Sequence, residues 1–173
     1  MDISTISPLD PEFKPLFDFY VQFFPQIERN TYESLCGYYN LTDEVYEYES
    51  IVCKDGNKIV AGCYVNLFKD INICFIEFIF VDQSCRGQGV ASRILDYLRE
   101  QHSNPTFMIE VEKDGEAQHF WRHMGFNDLD YDYIQPPIVE GNEPFDGLKL
   151  MASGEVHDID DVLKNHYWKY SFA

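Results

Sequence analysis

The chain has 173 residues, of which 45% are hydrophobic and 16% aromatic, and its formal net charge at pH 7 is −17. This length and composition predict a folded chain with a sizeable core and argue against disorder. The strong negative charge disfavours a nucleic-acid partner, which needs a basic surface.

The N-terminal segment MDISTISPLD is acidic and lacks the basic and apolar regions of a signal peptide. The longest apolar run, 71–81, is too short to span a bilayer and contains Glu77. Five cysteines are scattered without a CxxC pair or a metal-ligand spacing, which is typical of a reducing compartment. We therefore expect a cytoplasmic protein with no membrane partner and no bound metal. The excess negative charge fits either a cationic substrate or a solvated acidic surface.

The first half of the chain passes from helices to strands. Residues 11–23 carry apolar side chains at i, i+3, i+4 and i+7, which predicts an amphipathic helix. A second helix is predicted over 31–37, with Asn30 as its cap. Three strands follow, at 50–54, 58–68 and 72–81. An Asp-Gly turn joins the first two, and the short connections imply antiparallel pairing.

The second half alternates helices and strands. Apolar residues repeat every 3.6 positions over 88–101, which predicts a helix. A strand at 106–112 and a short helix at 115–123, ended by Gly125, come next. The remaining elements are strands at 129–134 and 147–152, a loop at 135–144 between them, and a helix at 158–169 capped by Asp158.

This order predicts an α/β (α+β) fold with one mixed, mostly antiparallel sheet flanked by helices. The strand–helix–strand unit 72–112 is expected to form a parallel crossover. We expect a single domain over 1–173, with its core over about 1–153 and a helical tail over about 154–173.

A glycine turn, Arg86-Gly87-Gln88-Gly89-Val90-Ala91, stands where a predicted strand becomes a helix. Helix N-termini carry unpaired N–H groups and partial positive charge, and glycine lets a phosphate approach the backbone. Neither GK[ST] nor GxGxxG is present. Four of the five arginines lie between 86 and 122, and two of them, Arg86 and Arg93, lie within two turns of the glycine turn, where they suit a phosphate. The turn favours a diphosphate ligand, with an ordinary tight turn as the alternative.

The segment VDQSCRGQGVAS resembles motif A of the GNAT superfamily of N-acetyltransferases, Q/R-x-x-G-x-G/A, with Arg86, Gly89 and Ala91 at the fixed positions. AQHFWRHMGF, at 117–126, resembles motif B, and FFPQIER, at 23–29, resembles a segment of some bacterial GNAT proteins. The resemblance extends to about residue 153. It implies the GNAT fold, with the sheet splayed between its fourth and fifth strands. It also implies transfer of acetyl from acetyl-CoA to a primary amine by direct attack.

The resemblance implies a cofactor-binding set. The amides from Gly87 to Ser92 would bind the diphosphate of acetyl-CoA, and Phe80 and Val81 would lie along the pantetheine arm. The full set is Phe80, Val81, Arg86, Gly87, Gln88, Gly89, Val90, Ala91, Ser92 and Trp121. No metal is implied.

Glu77 is the candidate general base. It interrupts an apolar strand, where burial raises the pKa of a carboxyl group towards a useful range. Strand alternation predicts that Phe75, Glu77 and Ile79 share one face. The resemblance also places a glutamate of this kind on this strand. A solvent-exposed or ion-paired glutamate is the alternative.

The general acid is less clear from the sequence. Many GNAT enzymes use a motif B tyrosine, but Trp121 holds that position, and an indole is not a practical proton donor. Tyr133 is the first candidate, with Tyr131, His119 and His123 as others. Alternatively, the thiolate leaves without an acid, or the domain has lost activity.

Substrate contacts are predicted at Glu28, Arg29, Glu110 and Tyr131. The expected partner is a small-molecule or peptide amine, and the frequent acids between 130 and 146 would suit a cationic one. A solvated acidic loop is the alternative. The expected state is a monomer or a homodimer. Two rival functions remain: a catalytically silent acyl-CoA-binding or sensor domain, and a nucleotide-phosphate enzyme that uses the glycine turn.

Overall fold

A computed structural model describes residues 1–137 and 140–171. The strands are β1 Asp2–Ile6, β2 Tyr46–Asp55, β3 Lys58–Phe68, β4 Ile73–Val81, β5 Thr106–Glu112, β6 Asn127–Asp128 and β7 Leu148–Ala152. They form one sheet in the order β1-β2-β3-β4-β5-β7-β6. β4 and β5 are parallel, and the other neighbouring pairs are antiparallel. The prediction of a mixed, mostly antiparallel sheet is confirmed.

Helices cover both faces of the sheet. They are α1 Phe13–Tyr20, α2 Tyr32–Tyr39, α3 Val90–Gln101 and α4 Ala117–His123. A C-terminal helix combines α5 Ile159–Asp161, a π-helical segment Val162–Tyr167 and α6 Trp168–Ser171. α1, α2 and the C-terminal helix bury their apolar side chains in one core, on what we call the front face. α3 and α4 contribute to a second core on the back face. None of the helices within the described ranges is long and apolar enough to cross a membrane.

Several predicted elements differ from the structure. β1 was not predicted, because its sequence DISTI is mostly exposed and buries only Ile6. Residues 129–134 were predicted as a strand, which is wrong, since the edge strand β6 ends at Asp128. The alternating apolar residues after it instead pack towards the C-terminal helix, where Tyr133 stacks on Trp168. The predicted loop 135–144 includes residues 138 and 139, which lie outside the described residues.

Capping was predicted correctly at one helix and wrongly at another. The Asp158 side chain accepts the N–H of Asp161 and caps the C-terminal helix, as expected. At α2, the cap is Thr31, whose hydroxyl oxygen accepts the N–H of Ser34 at 3.1 Å. Asn30 is therefore not the cap, and its side chain is directed elsewhere.

β4 and β5 separate after a short parallel ladder. The ladder joins Ile73–Ile76 to residues 106–109, and the remaining five residues of β4 have no partner in β5. The predicted splay between these strands is confirmed. It leaves a gap in the sheet at the C-terminal ends of two neighbouring strands.

A β-bulge in β4 changes which side chains share a face. Tyr64 of β3 pairs with Phe78 while the next residue pairs with Ile76, so Glu77 is an extra residue. Beyond the bulge, Phe78 and Phe80 pack with the front core, and Ile79 packs with the back core. The prediction that Glu77 and Ile79 share a face is therefore wrong, because simple alternation does not anticipate an inserted residue.

Candidate active site

A cleft of about 790 Å³ opens beside the splayed strands. Its walls come from the end of β4, the glycine turn, the first turn of α3, α4 and the loop after α1. Of the ten predicted cofactor-binding residues, nine line it: Phe80, Val81, Arg86, Gly87, Gly89, Val90, Ala91, Ser92 and Trp121. The volume lies within the range of small-molecule sites. The cleft therefore brings together nine predicted residues that lie up to 41 positions apart in the sequence, from Phe80 to Trp121.

The glycine turn presents bare backbone to this cleft. Gly87 and Gly89 have φ of +76° and +75°, values that side chains disfavour, and a Cβ added at either position meets open space. Gly89 precedes α3 and has no side chain to cap it, so the N–H groups of the first turn are left without intrahelical acceptors. The tenth predicted residue, Gln88, turns away and donates to the Ser84 carbonyl at 3.0 Å. This geometry fits a diphosphate group.

Glu77 lies at the gap, on the front face. Its Oε1 accepts the Asn30 amide at 2.7 Å. Its Oε2 is buried and has no hydrogen-bond partner among residues 1–137 and 140–171. Burial raises the pKa of the Glu77 carboxyl, and the polar groups of Asn30, Tyr48 and Asn66 oppose that shift. Tyr48 and Asn66 approach the carboxylate without reaching hydrogen-bond geometry.

Asn30 is held by three hydrogen bonds. Its side-chain amide donates to Glu77, and its Oδ1 accepts a hydrogen bond from the Tyr38 hydroxyl at 3.3 Å. Its backbone N–H donates to the Tyr20 hydroxyl at 3.0 Å. The preceding Arg29 donates to the carbonyls of Val21 and Phe24 and closes the loop after α1. The loop thus fixes a neutral amide donor against the half-buried carboxylate of Glu77.

Glu110 occupies the matching position on β5. Its carboxylate accepts the Tyr133 hydroxyl at 2.6 Å and the Gln135 amide at 2.8 Å, and the Tyr167 hydroxyl is a third donor. Burial, with a contribution from the charge of Glu77, raises the pKa of Glu110 to about 7. Tyr167 comes from the π-helical segment and stacks on Phe75, with ring centroids 3.8 Å apart. The C-terminal helix therefore forms part of the site.

The raised pKa of Glu110 predicts a pH-dependent stability. A carboxyl group with a pKa of about 7 in the folded chain and 4.5 when unfolded favours the folded state at low pH. That contribution is lost as the pH rises from about 4.5 to about 7 and amounts to about 3 kcal/mol. Relative to wild type, Glu110→Gln is expected to become more stable by this amount between pH 5 and pH 8, measured by denaturant unfolding. The exposed Glu112→Gln serves as control, and an equal pH dependence for wild type and Glu110→Gln would contradict the assignment.

The remaining predicted catalytic and substrate residues do not gather around Glu77. Tyr133 reaches the site, but its hydroxyl proton is engaged by Glu110, and burial raises its pKa. The Tyr131 hydroxyl donates to Asp160 at 2.6 Å instead. Glu28 is exposed, and Arg29 bonds to backbone carbonyls. The structure thus does not bring Glu28, Arg29 or Tyr131 to Glu77.

Sequence reasoning missed the polar residues around the carboxylates. Asn30, Tyr48 and Asn66 approach Glu77, while Gln135 and Tyr167 contact Glu110. Their spacing carries no motif. The polar Asn66 inside the apolar run of β3 is the one local signal, because a central strand rarely buries an amide without a polar partner.

An open mixed sheet, splayed between two parallel strands and with a glycine turn at the splay, defines the acetyltransferase fold named GNAT. Residues 46–128 match the family described as "Acetyltransferase (GNAT) domain". The recognition of the GNAT superfamily from the sequence is confirmed. No curated protein matches the chain significantly.

Solved structures extend the same fold over most of the chain. A protein from Bacteroides thetaiotaomicron, ascribed to the GNAT family of acetyltransferases, has a TM-score of 0.73 at 23% identity, over 95% of this chain and 93% of its own. An aminoglycoside 6'-N-acetyltransferase complexed with coenzyme A has a TM-score of 0.64 at 15% identity, over 91% and 100%. A GNAT family acetyltransferase from Elizabethkingia anophelis with acetyl-CoA bound has a TM-score of 0.58 at 15% identity, over 87% and 95%.

Proposed function

We propose that this protein is an N-acetyltransferase that transfers acetyl from acetyl-CoA to a primary amine. The GNAT fold supports acyl-CoA-dependent acetyl transfer in general. The observation that carries the proposal is the continuity of the cleft: the glycine turn, the end of β4 and Trp121 line one space next to the gap where Glu77 lies. The cleft assigned to acetyl-CoA therefore lies beside the candidate base.

The cleft residues are assigned to the acetyl-CoA side. The N–H groups at the start of α3 suit the diphosphate, and the unpaired end of β4, at Phe80 and Val81, offers backbone groups to the pantetheine arm. Trp121 is 3% exposed and gives the cleft an apolar wall. Arg86 adds positive charge beside the turn. Bound acetyl-CoA supplies the thioester carbonyl that the amine attacks.

Glu77 is assigned as the general base. Its Oε1 is already engaged by Asn30, so Oε2 is the oxygen that takes a proton from the amine. A base needs a pKa near the working pH, and burial moves the pKa of Glu77 in that direction. We assign Tyr133 to holding Glu110 in place rather than to protonating the thiolate. A thiol pKa of about 8.5 lets the thiolate leave without a dedicated acid.

The proposal is tested by acetyl-CoA binding and by thiol release. Thermal stabilisation by acetyl-CoA, with none by ATP or NAD, is expected, and free thiol should appear when an accepted amine is added. Stabilisation by ATP or NAD alone would favour the nucleotide-phosphate alternative. Binding of acetyl-CoA without thiol release across a broad amine panel would favour the silent acyl-CoA-binding domain, which the tryptophan at position 121 supports.

Asn30→Ala is expected to lower kcat/KM for the amine by about tenfold, since it removes a hydrogen bond to a charged group. The Asn30 amide stabilises the charged form of Glu77 and so lowers its pKa. Its removal should move the acidic limb of the kcat/KM profile to higher pH. The measurement is the pH profile, with the exposed Asn40→Ala as matched control. An acidic limb at the wild-type position would show that Asn30 does not position Glu77.

A further inference from the structure

Two carboxylates, not one, stand where β4 and β5 separate. The last pair of the parallel ladder is Ile76 with Ile109, so Glu77 and Glu110 are the first residues beyond it on each strand. Both side chains face the front core, because Glu77 contacts Asn30 and Glu110 contacts Tyr133. Paired strands lie about 4.8 Å apart, and these two diverge from that spacing. The carboxylates therefore flank the entrance to the gap.

Neither carboxylate has a cationic partner. In the part of the chain that the structure describes, the ion pairs of acidic side chains include neither Glu77 nor Glu110. The groups around them are neutral hydroxyls and amides. Neutral donors offset only part of the cost of removing a charge from water, and two half-buried carboxylates repel each other. The charge of Glu77 accordingly adds to burial in raising the pKa of Glu110.

Two buried polar atoms that lack a hydrogen-bond partner in the described part of the chain lie near the gap between β4 and β5. Oε2 of Glu77 and the hydroxyl of Tyr48 are buried without a hydrogen-bond partner, as far as the described residues extend, and Tyr48 is only 1% exposed. Such atoms are uncommon in native proteins and call for a missing partner. The Tyr48 hydroxyl approaches the Glu77 carboxylate, and the Tyr167 hydroxyl approaches Glu110. Carboxylates and neutral hydroxyl oxygens are hydrogen-bond acceptors that suit the N–H groups of an alkylammonium ion.

We propose that the acceptor is a short aliphatic diamine, with one nitrogen at Glu77 and the second held as an ammonium by Glu110. This inference rests on the proposed function and names its substrate class. The reacting ammonium gives one proton to Glu77. The neutral nitrogen then forms the N–C bond while the C–S bond of the thioester breaks. A second proton from that nitrogen ends on the sulfur, giving the thiol. The ammonium at Glu110 is unchanged throughout.

The test compares tetramethylenediamine with n-butylamine, which has the same carbon chain and one nitrogen fewer. With wild-type protein and saturating acetyl-CoA, kcat/KM for the diamine is expected to exceed that for the monoamine by at least about tenfold. Glu110→Gln should bring this ratio close to one, chiefly by raising KM for the diamine. Glu112→Gln, on the same strand but exposed, should keep the wild-type ratio.

The possible results distinguish a failure of the diamine assignment from a failure of the proposed acetyltransferase function. A wild-type ratio near one, with both amines acetylated, would overturn the diamine assignment and leave the enzyme proposal standing. A Glu110→Gln variant that retains the wild-type ratio would also overturn it. If acetyl-CoA binds and no amine of any class is acetylated, the proposed function itself fails. If Glu110→Gln does not fold, the ratio of kcat/KM for the diamine to kcat/KM for the monoamine, measured with wild-type protein, tests the diamine assignment by itself.

Discussion

Glu77→Gln is expected to lower kcat/KM for a good amine acceptor by about a hundredfold to a thousandfold, the usual contribution of a general base. The Kd for acetyl-CoA should stay near the wild-type value, because Glu77 does not line the cleft that holds the glycine turn. The free energy of unfolding should not decrease. Glutamine keeps the size of the side chain and removes a charge whose burial is unfavourable.

The measurements are steady-state kinetics, acetyl-CoA titration and denaturant unfolding on the same preparations. Glu47→Gln provides the control, since Glu47 lies on β2 and pairs with Lys69 at 3.5 Å. It should change neither activity nor cofactor affinity. Turnover by Glu77→Gln equal to wild type from about pH 6 to pH 9 would remove Glu77 as the base.

Gly89→Val is expected to weaken acetyl-CoA binding by about a hundredfold. A side chain at this position enters the open space in front of the helix N-terminus, where a diphosphate would sit. The loss of charge-assisted hydrogen bonds there corresponds to about 3 kcal/mol. The backbone φ of +75° also disfavours a β-branched residue, which costs about 2 kcal/mol of stability.

A matched control separates these two effects. Gly56 has φ of +59° in the hairpin turn between β2 and β3, and a Cβ there also meets open space. Gly56→Val should therefore lose similar stability and keep its affinity for acetyl-CoA. Equal affinities of Gly89→Val and wild type in isothermal titration would refute the diphosphate assignment.

The sequence is informative where chemistry requires a fixed local pattern. The glycine turn needs positive φ at two positions and an open helix N-terminus, so Gly87 and Gly89 identify it without any tertiary information. The helix α3 and the strand β3 follow from apolar periodicity for the same reason.

The environment of the two carboxylates depends on contacts between distant segments. Glu77 was predicted as a candidate base from its place in an apolar strand, but the face on which it lies depends on a bulge, which alternation does not reveal. Asn30 looked like a helix cap because it precedes a helical pattern, and Thr31 takes that role. Tyr167 reaches Glu110 only because the C-terminal helix folds across the front face. Such contacts follow from tertiary packing, which spacing along the chain does not encode.

The tryptophan at the expected tyrosine position acquires a physical explanation in the structure. Trp121 packs on Phe126 with ring centroids 4.8 Å apart and forms an apolar wall of the cleft. An apolar wall supports cofactor binding and supplies no proton. The proposed chemistry therefore depends on the base more than on an acid, and the pH dependence of turnover should be governed by Glu77 and Glu110.

The most direct test of the central claim is acetyl-CoA turnover with tetramethylenediamine, followed by thiol release and by mass spectrometry of the amine. The proposed function predicts that wild-type protein releases one thiol for each acetylated amine, and that Glu77→Gln binds acetyl-CoA but releases thiol at least about a hundred times more slowly. Acetyl-CoA binding by wild-type protein with no acetylated amine, for this or any other amine supplied, would contradict it.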